Sequence, residues 1–310
     1  MSAGVILNDC IMQKGLPAAA GSKMLENFIA PFDAHVVTRL NESGVSIAGR
    51  AKAAEFGMCP PPELAAGTLC SDVFGHYRLL AAQNGLFCIR PTYGTVSRFG
   101  LIPAAVSMDQ IGVVCEDVEE GFTLLSLIAG HDPRDGAMFP DKAYAYDKPE
   151  KKPVIADLTG DARKLKYSEV FDQVMYILSC AEAANNISRY DGVKFGYRAP
   201  DYTGLNDMYL KTRAQAFGIE TKLAAIMGAA VLSSENYVRY YEKAMKIRRL
   251  IKQSLPFGEY DVLALPAESP LAPLAGLASL AFSRGGQSVQ LVADAKNDAA
   301  LISAWEVFAS

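Results

Sequence analysis

The chain alternates short, continuously apolar runs with longer stretches in which apolar residues return every three or four positions. Val5 to Leu7, Val45 to Ala48, Leu86 to Ile89, Val154 to Ala156, Val262 to Leu265 and Val289 to Val292 read as strands. Most leave no alternate position for a wet face, which predicts an α/β fold with a central sheet covered by helices on both sides. Between the strands, Asp33 is placed to cap a helix running to about Glu42, with Val36, Val37 and Leu40 on one face and Gly44 ending it. A second helix starts near Asp117, buries Val118, Phe122, Leu125 and Ile128, and stops at Gly130. A third, long one is expected over 219–253. In its second half Tyr237, Tyr240, Ala244, Ile247 and Ile251 share a face, and Arg239, Lys243, Lys246 and Arg249 form a basic stripe opposite. That stripe reads as a solvated helix face, with an acidic partner as the alternative.

Two stretches interrupt this rhythm. Residues 135–152, rich in Pro, Tyr, Asp and Lys, read as a surface connection, and Pro266 to Pro273 read as a second loop. Neither resembles a flexible linker and no internal repeat is present, so 1–310 is expected to form a single domain with a helical subregion at about 165–255.

Composition narrows the function classes. Half of the 310 residues are apolar, 21% are charged, and the net charge is −4. A mildly acidic surface argues against direct nucleic-acid binding, which needs cations for the phosphates. No apolar run reaches the roughly 20 residues of a membrane span, and the first nine residues lack the charged and apolar regions of a signal peptide. Six cysteines without paired spacing read as reduced thiols of a cytoplasmic protein. With three histidines and no metal-ligand spacing, neither metal nor cofactor is expected.

The chemistry-bearing stretch is Cys70-Ser71-Asp72-Val73-Phe74-Gly75-His76-Tyr77-Arg78, followed by Ile89-Arg90-Pro91-Thr92-Tyr93-Gly94. It resembles the centre of the amidase signature family, a Gly-Ser-Asp-Thr-Gly-Gly-Ser-x-Arg loop followed by Lys-Pro-Thr-Tyr-Gly. Val5 to Asp9, Gly21 to Phe28, Asp109-Gln110-Ile111-Gly112 and Ile128 to Pro133 extend the match. Ser188 to Arg198 and Thr212 to Gly218 resemble in particular the branch represented by the A subunit of glutamyl-tRNA(Gln) amidotransferase. The resemblance implies the amidase signature fold, with its central mixed sheet, in truncated form. The family's N-terminal helical segment has no counterpart, only Cys59 to Leu64 stand where a long Gly/Ser-rich segment is expected, and 266–276 is abbreviated.

Amidases of this family use a Ser–cis-Ser–Lys relay, in which a desolvated lysine accepts the proton of the attacking serine through a second serine. Carried over by motif, the lysine position is Asn8, the bridging serine falls in the missing segment, and the nucleophile position is His76. In the oxyanion loop Val73-Phe74-Gly75 replaces Thr-Gly-Gly, and a Cβ at Phe74 is expected to restrict a turn that glycine leaves free. Ser71, Asp72, Val73, Phe74, Gly75, Arg78 and Tyr190 thus read as a vestigial site with no catalytic residue. Arg78 is expected to donate to neighbouring carbonyls, His76 to be half-buried and bonded to a backbone carbonyl, and Tyr190 to be held by packing. By resemblance Tyr190 and Asp191 lie near the amide pocket, whereas Leu223-Ala224 replaces the branch's basic pair.

These residues imply a non-catalytic amidase homologue that acts by binding, to proteins resembling the B or C subunits of the amidotransferase or to itself. The competing reading is an amidase or amidotransferase component whose site has been rebuilt around Cys70 or Ser71 with His76. A third, a degenerate chain without a role, conflicts with the intact apolar faces of the Asp33 and Asp117 helices.

Overall fold

The computed structural model describes residues 4–309. Nine strands form one mixed sheet: β1 (Val5–Asn8), β2 (Ile47–Ala51), β3 (Thr68–Ser71), β4 (Phe87–Arg90), β5 (Ile111–Cys115), β6 (Ile155–Asp157), β7 (Val262–Pro266), β8 (Ala278–Arg284) and β9 (Gln287–Ala293). Their spatial order is β2-β1-β3-β5-β4-β8-β9-β7-β6. The β1–β2, β1–β3 and β6–β7 pairs are parallel, and the other pairs antiparallel.

Alternation along the strands divides the core in two. Leu69, Ile89, Ile111, Val113, Val262, Ala264, Leu280 and Leu291 belong to one apolar cluster. Their neighbours Cys70, Cys88, Val114 and Ala281, and Leu263, Leu265 and Val292, belong to clusters on the opposite face. Helices α1 (His35–Glu42) and α3 (Val118–Ile128) cover the first face, through Val36, Val37 and Leu40 and through Val118, Phe122, Leu125 and Ile128. The second face meets α2 (His76–Gln83) through Tyr77 and Ala81, and α4 (Phe171–Ile187) through Phe171, Val174, Met175 and Leu178. The helical stretch continues with α5 (Leu205–Ala216), α6 (Ile219–Leu232) and α7 (Lys243–Gln253). Glycine at 228 lets α6 approach α4, because a Cβ there would stand 2.1 Å from the Cys180 carbonyl oxygen. A short α8 (Leu271–Ala275) is wholly buried, and α9 (Ala300–Ala309) packs on the α1/α3 face through Leu301 and Ala304.

Several expectations change. Asp33 does not cap α1: the capping position is Ala34, and the Asp33 carboxylate accepts the Lys14 N–H at 2.7 Å instead. Asp117 does cap α3, accepting the Glu120 N–H at 2.8 Å. The helix expected over 219–253 is two helices. Ser233 is extended, and the side chains of Ser233 and Asn236 both bond back to the Ala230 carbonyl, diverting it from the helical ladder. A wide π-type turn at Tyr237–Glu242 then leads into α7. Along α7 Ala244 and Ile251 are buried, whereas Tyr237 and Tyr240 are exposed. Strands β3, β5 and β8 escape the apolar-run criterion because Cys, Gly, Ala and Ser interrupt them. Part of the expected 266–273 loop is α8.

Candidate functional site

Strand register assembles the site. β1 runs parallel to β3 with Leu7 opposite Leu69, so Asn8 and Ser71 emerge at the same sheet edge. β5 runs antiparallel to β3 with Ser71 opposite Ile111, which returns Asp109 to that edge. The Ser71 hydroxyl donates to Asp109 Oδ1 at 2.9 Å, while Oδ2 accepts the backbone N–H groups of Ala104 and Ala105 at 3.0 and 2.8 Å. Burial pushes the Asp109 carboxyl up to about 6 against these bonds.

The turn into α2 depends on Gly75. It adopts φ +92°, and a Cβ there would meet the Arg78 guanidinium at 2.7 Å. Phe74 is not among the positive-φ residues, so the expected restriction there does not arise: only Gly75 carries the left-handed turn. Asp72 accepts the Tyr77 N–H at 3.1 Å and the Arg78 Nη1 at 3.0 Å. It thereby occupies backbone donors of the first turn of α2, the place where an anion would otherwise be stabilised. Arg78, 2% exposed, also donates to the carbonyls of Ala267 at 2.6 Å and Ser269 at 3.1 Å. Its position is that of a brace between α2 and the β7–α8 connection.

The position that resemblance gives to a catalytic lysine is filled differently. Asn8 is buried, and its Oδ1 accepts the Tyr77 hydroxyl at 2.5 Å. Burial drives the tyrosine's pKa far upward, so this hydroxyl is a donor and no base. Asn8 Nδ2 has no hydrogen-bond partner among the described residues. Asn8, Ser71, Val73, Tyr77 and Asp109 line a cavity of about 20 Å³, with Phe56 on its wall. That is the volume of about one water molecule.

The remaining expected residues lie elsewhere. His76 does not line the cavity; its ring lies 6.5 Å from that of Phe74, and its imidazole makes no hydrogen bond among the described residues, so the expected carbonyl bond is absent. Cys70 packs with Cys88, Val114 and Ala281, and its hydrogen bond with Cys88, reinforced by burial, holds the thiol protonated well above the usual range. Val73, besides lining the cavity, is buried in the α4 cluster, and Phe74 packs against that cluster. Tyr190 stacks on Phe56 at 5.5 Å and meets Phe195 edge-on, so it and Arg78 serve different elements. Three residues that matter here were not anticipated: Tyr77, Phe56 and Asp109. Tyr77 had a visible signal, a phenol between two site positions. Phe56 had another, a large side chain beside the shortened segment, where it holds φ +46° under its N–H bond to Ala20.

A family profile described as Amidase matches residues 4–61, 62–168 and 160–295. The A subunit of glutamyl-tRNA(Gln) amidotransferase from Nitrosospira multiformis is 34% identical, over 85% of this chain and 68% of that protein. Its counterpart from Sulfurisphaera tokodaii is 32% identical, over 88% of this chain and 71% of that one. The chain thus spans about two thirds of the length of these relatives. Among solved structures, the Thermotoga maritima A subunit superposes with a TM-score of 0.70 at 22% identity, covering 98% of this chain and 82% of that one. A chain of a complex described as vestigial, bearing on the origins of an s-triazine catabolic enzyme, gives 0.78 at 19% identity, covering 99% and 83%. At these identities the superpositions speak for the fold.

Proposed function

The chain belongs to the amidase family, and from that premise we propose that it is a non-catalytic member, related to the A subunit of glutamyl-tRNA(Gln) amidotransferase, that acts by binding. One observation carries the reading: where the resemblance places the catalytic lysine, the Tyr77–Asn8 hydrogen bond fills the wall of a cavity of about 20 Å³ that presents no basic nitrogen, and burial holds the Cys10 thiol on that wall protonated. Ser71 and Asp109 are the pair nearest to a rebuilt relay, but the hydroxyl faces a space of about one water molecule. Cys70 lacks the exposure and the lowered pKa a nucleophilic thiol needs.

The relatives are named as one component of a larger enzyme, which supports a role within an assembly. The partners we propose are proteins resembling the B or C subunits of the amidotransferase, or a second copy of this chain. Six unpaired cysteines support a reducing, cytoplasmic setting, and no described helix is long and apolar enough to cross a membrane. One continuous sheet supports treating the whole chain as one domain.

The test is turnover of glutamine, asparagine and aryl amides by purified protein, together with labelling by a fluorophosphonate. Neither turnover nor a labelled residue is expected. Hydrolysis that disappears in His76→Ala, Ser71→Ala or Cys70→Ala would instead establish the amidase with a rebuilt site.

A further inference from the structure

Three strands along the same sheet edge lies a second cavity, of about 610 Å³, between α7 and the loops after β4 and α8. It falls within the size range of small-molecule sites. None of the family's relay positions lines it. Tyr93, Phe139 and Leu274 give it an apolar interior, and the abbreviated 266–276 segment forms one wall through Ala275 and Gly276. The interior is fixed in place. The Tyr93 hydroxyl donates to the Val106 carbonyl and accepts from Arg98 Nη1 at 2.7 Å, and the Phe139 N–H donates to the Gly94 carbonyl. Arg248 is tied to the Leu274 carbonyl at 2.6 Å and to Ser107, which Glu182 holds in turn.

Charge is one-sided. Met245, Arg248, Arg249 and Lys252 fall at i, i+3, i+4 and i+7 on α7 and all line the cavity, and no Asp or Glu does. Arg248 is engaged, but Arg249 and Lys252 form no ion pair or hydrogen bond among the described residues. Lys296, whose Nζ stands 5.2 Å from the Phe139 ring centre, is already paired with Asp141. Two unengaged cations thus border an apolar chamber with ordered aromatic walls.

We propose that this cavity binds a small organic anion, an apolar or aromatic body seated against Tyr93, Phe139 and Leu274 with its acidic group held by Arg249 and Lys252. Guanidinium and ammonium in an apolar rim favour a carboxylate or sulfonate over a neutral analogue. The inference does not depend on the relay region being inert.

The probes are 8-anilinonaphthalene-1-sulfonate and its uncharged analogue N-phenyl-1-naphthylamine, titrated by fluorescence into the full chain. One saturable sulfonate site is expected, weakened about tenfold or more by joint Arg249→Glu and Lys252→Glu substitution and unchanged by Lys243→Glu with Lys246→Glu. Met245→Trp, which fills the mouth from an exposed position, is expected to weaken both probes. Equal losses from the two charge reversals, binding indifferent to Met245→Trp, or no saturable site would each overturn the proposal. Circular dichroism of every variant separates loss of binding from loss of fold.

Discussion

The β3–α2 region and the α6–α7 region treat their side chains in opposite ways. Around α2 the side chains have closed over. Asp72, Arg78, Ser71 and Asp109 satisfy one another or nearby backbone, and Tyr77 occupies the space beside Asn8. Along α6, Ile219, Leu223, Ile226 and Met227 recur at helical spacing and are 74, 46, 66 and 39% exposed. They form an apolar stripe facing outward on a helix whose other face packs on α4. The same chain thus packs the α2 region closed and leaves an apolar face open on α6. A region whose carboxylates and guanidinium are mutually engaged is built as a structural element. Under the proposed binding role, contacts are sought on α6 and α7.

The comparison breaks first at Arg78. If the α2 network is structural, Arg78→Ala leaves the buried Asp72 carboxylate without its cation and takes one donor from the Ala267 and Ser269 carbonyls, which keep only Gln290. A loss of about 3–5 kcal/mol is expected, read from the urea midpoint. A loss below about 1 kcal/mol would mean that the network does not hold the region together.

Asp109 gives the next largest effect, through pH. Its carboxyl is raised to about 6 in the fold, so between pH 4 and 6 the folded protein binds more protons than the unfolded chain. Stability from this group is fully present below pH 4 and is lost as pH rises through 6, by about 3 kcal/mol in all. Burial shifts Asp298 and Asp9 in the same direction, and hydrogen bonds shift Asp132 and Asp135 in the opposite one. The readout is therefore a difference: chemical denaturation of wild type and Asp109→Asn across that window, in which the variant should lose the falling slope. Parallel curves would place Asp109 in a wetter setting than its burial implies.

Smaller again is the Tyr77–Asn8 bond. Tyr77→Phe strands the Oδ1 of the buried Asn8, whose Nδ2 already lacks a partner among the described residues, and should cost about 1–3 kcal/mol. Replacing both partners, Asn8→Leu with Tyr77→Phe, should recover much of that loss, because an apolar pair of similar shape leaves nothing unsatisfied. A double variant as unstable as the sum of the two singles would show that the bond does not couple the two positions.

The sequence was most legible where one physical signal dominated. Continuous apolar runs located β1 and β7, and Asp117 located α3, because its carboxylate faces an N–H three residues on. Asp33 carried the same cap chemistry and was diverted by Lys14, nineteen residues away, which no local pattern reveals. The break between α6 and α7 was written in Ser233 and Asn236, whose side chains compete for a helix carbonyl. The apolar periodicity on either side hid it. At the site, motif spacing located Asn8, Ser71 and His76 but not which of them meet. Tyr77, Phe56 and Asp109 reach the cavity only through strand register and a left-handed backbone turn. Those are tertiary facts.

The smallest expected effect is on the open side. Ile226→Lys, or Leu223→Lys, changes an exposed position on α6 without opening a cavity or stranding a polar group, so stability should move by no more than about 0.5 kcal/mol. Burying an isoleucine side chain of that size is worth about 1.5–3 kcal/mol, so the measurement reads whether the stripe is covered in the protein as it exists. Urea midpoints at two protein concentrations tenfold apart make the reading unambiguous. A loss near the larger figure, growing as the protein is concentrated, would mean that a second copy already lies on α6 and that the stripe is an interface. A loss within 0.5 kcal/mol at both concentrations leaves α6 open and keeps the contrast with the sealed α2 region intact.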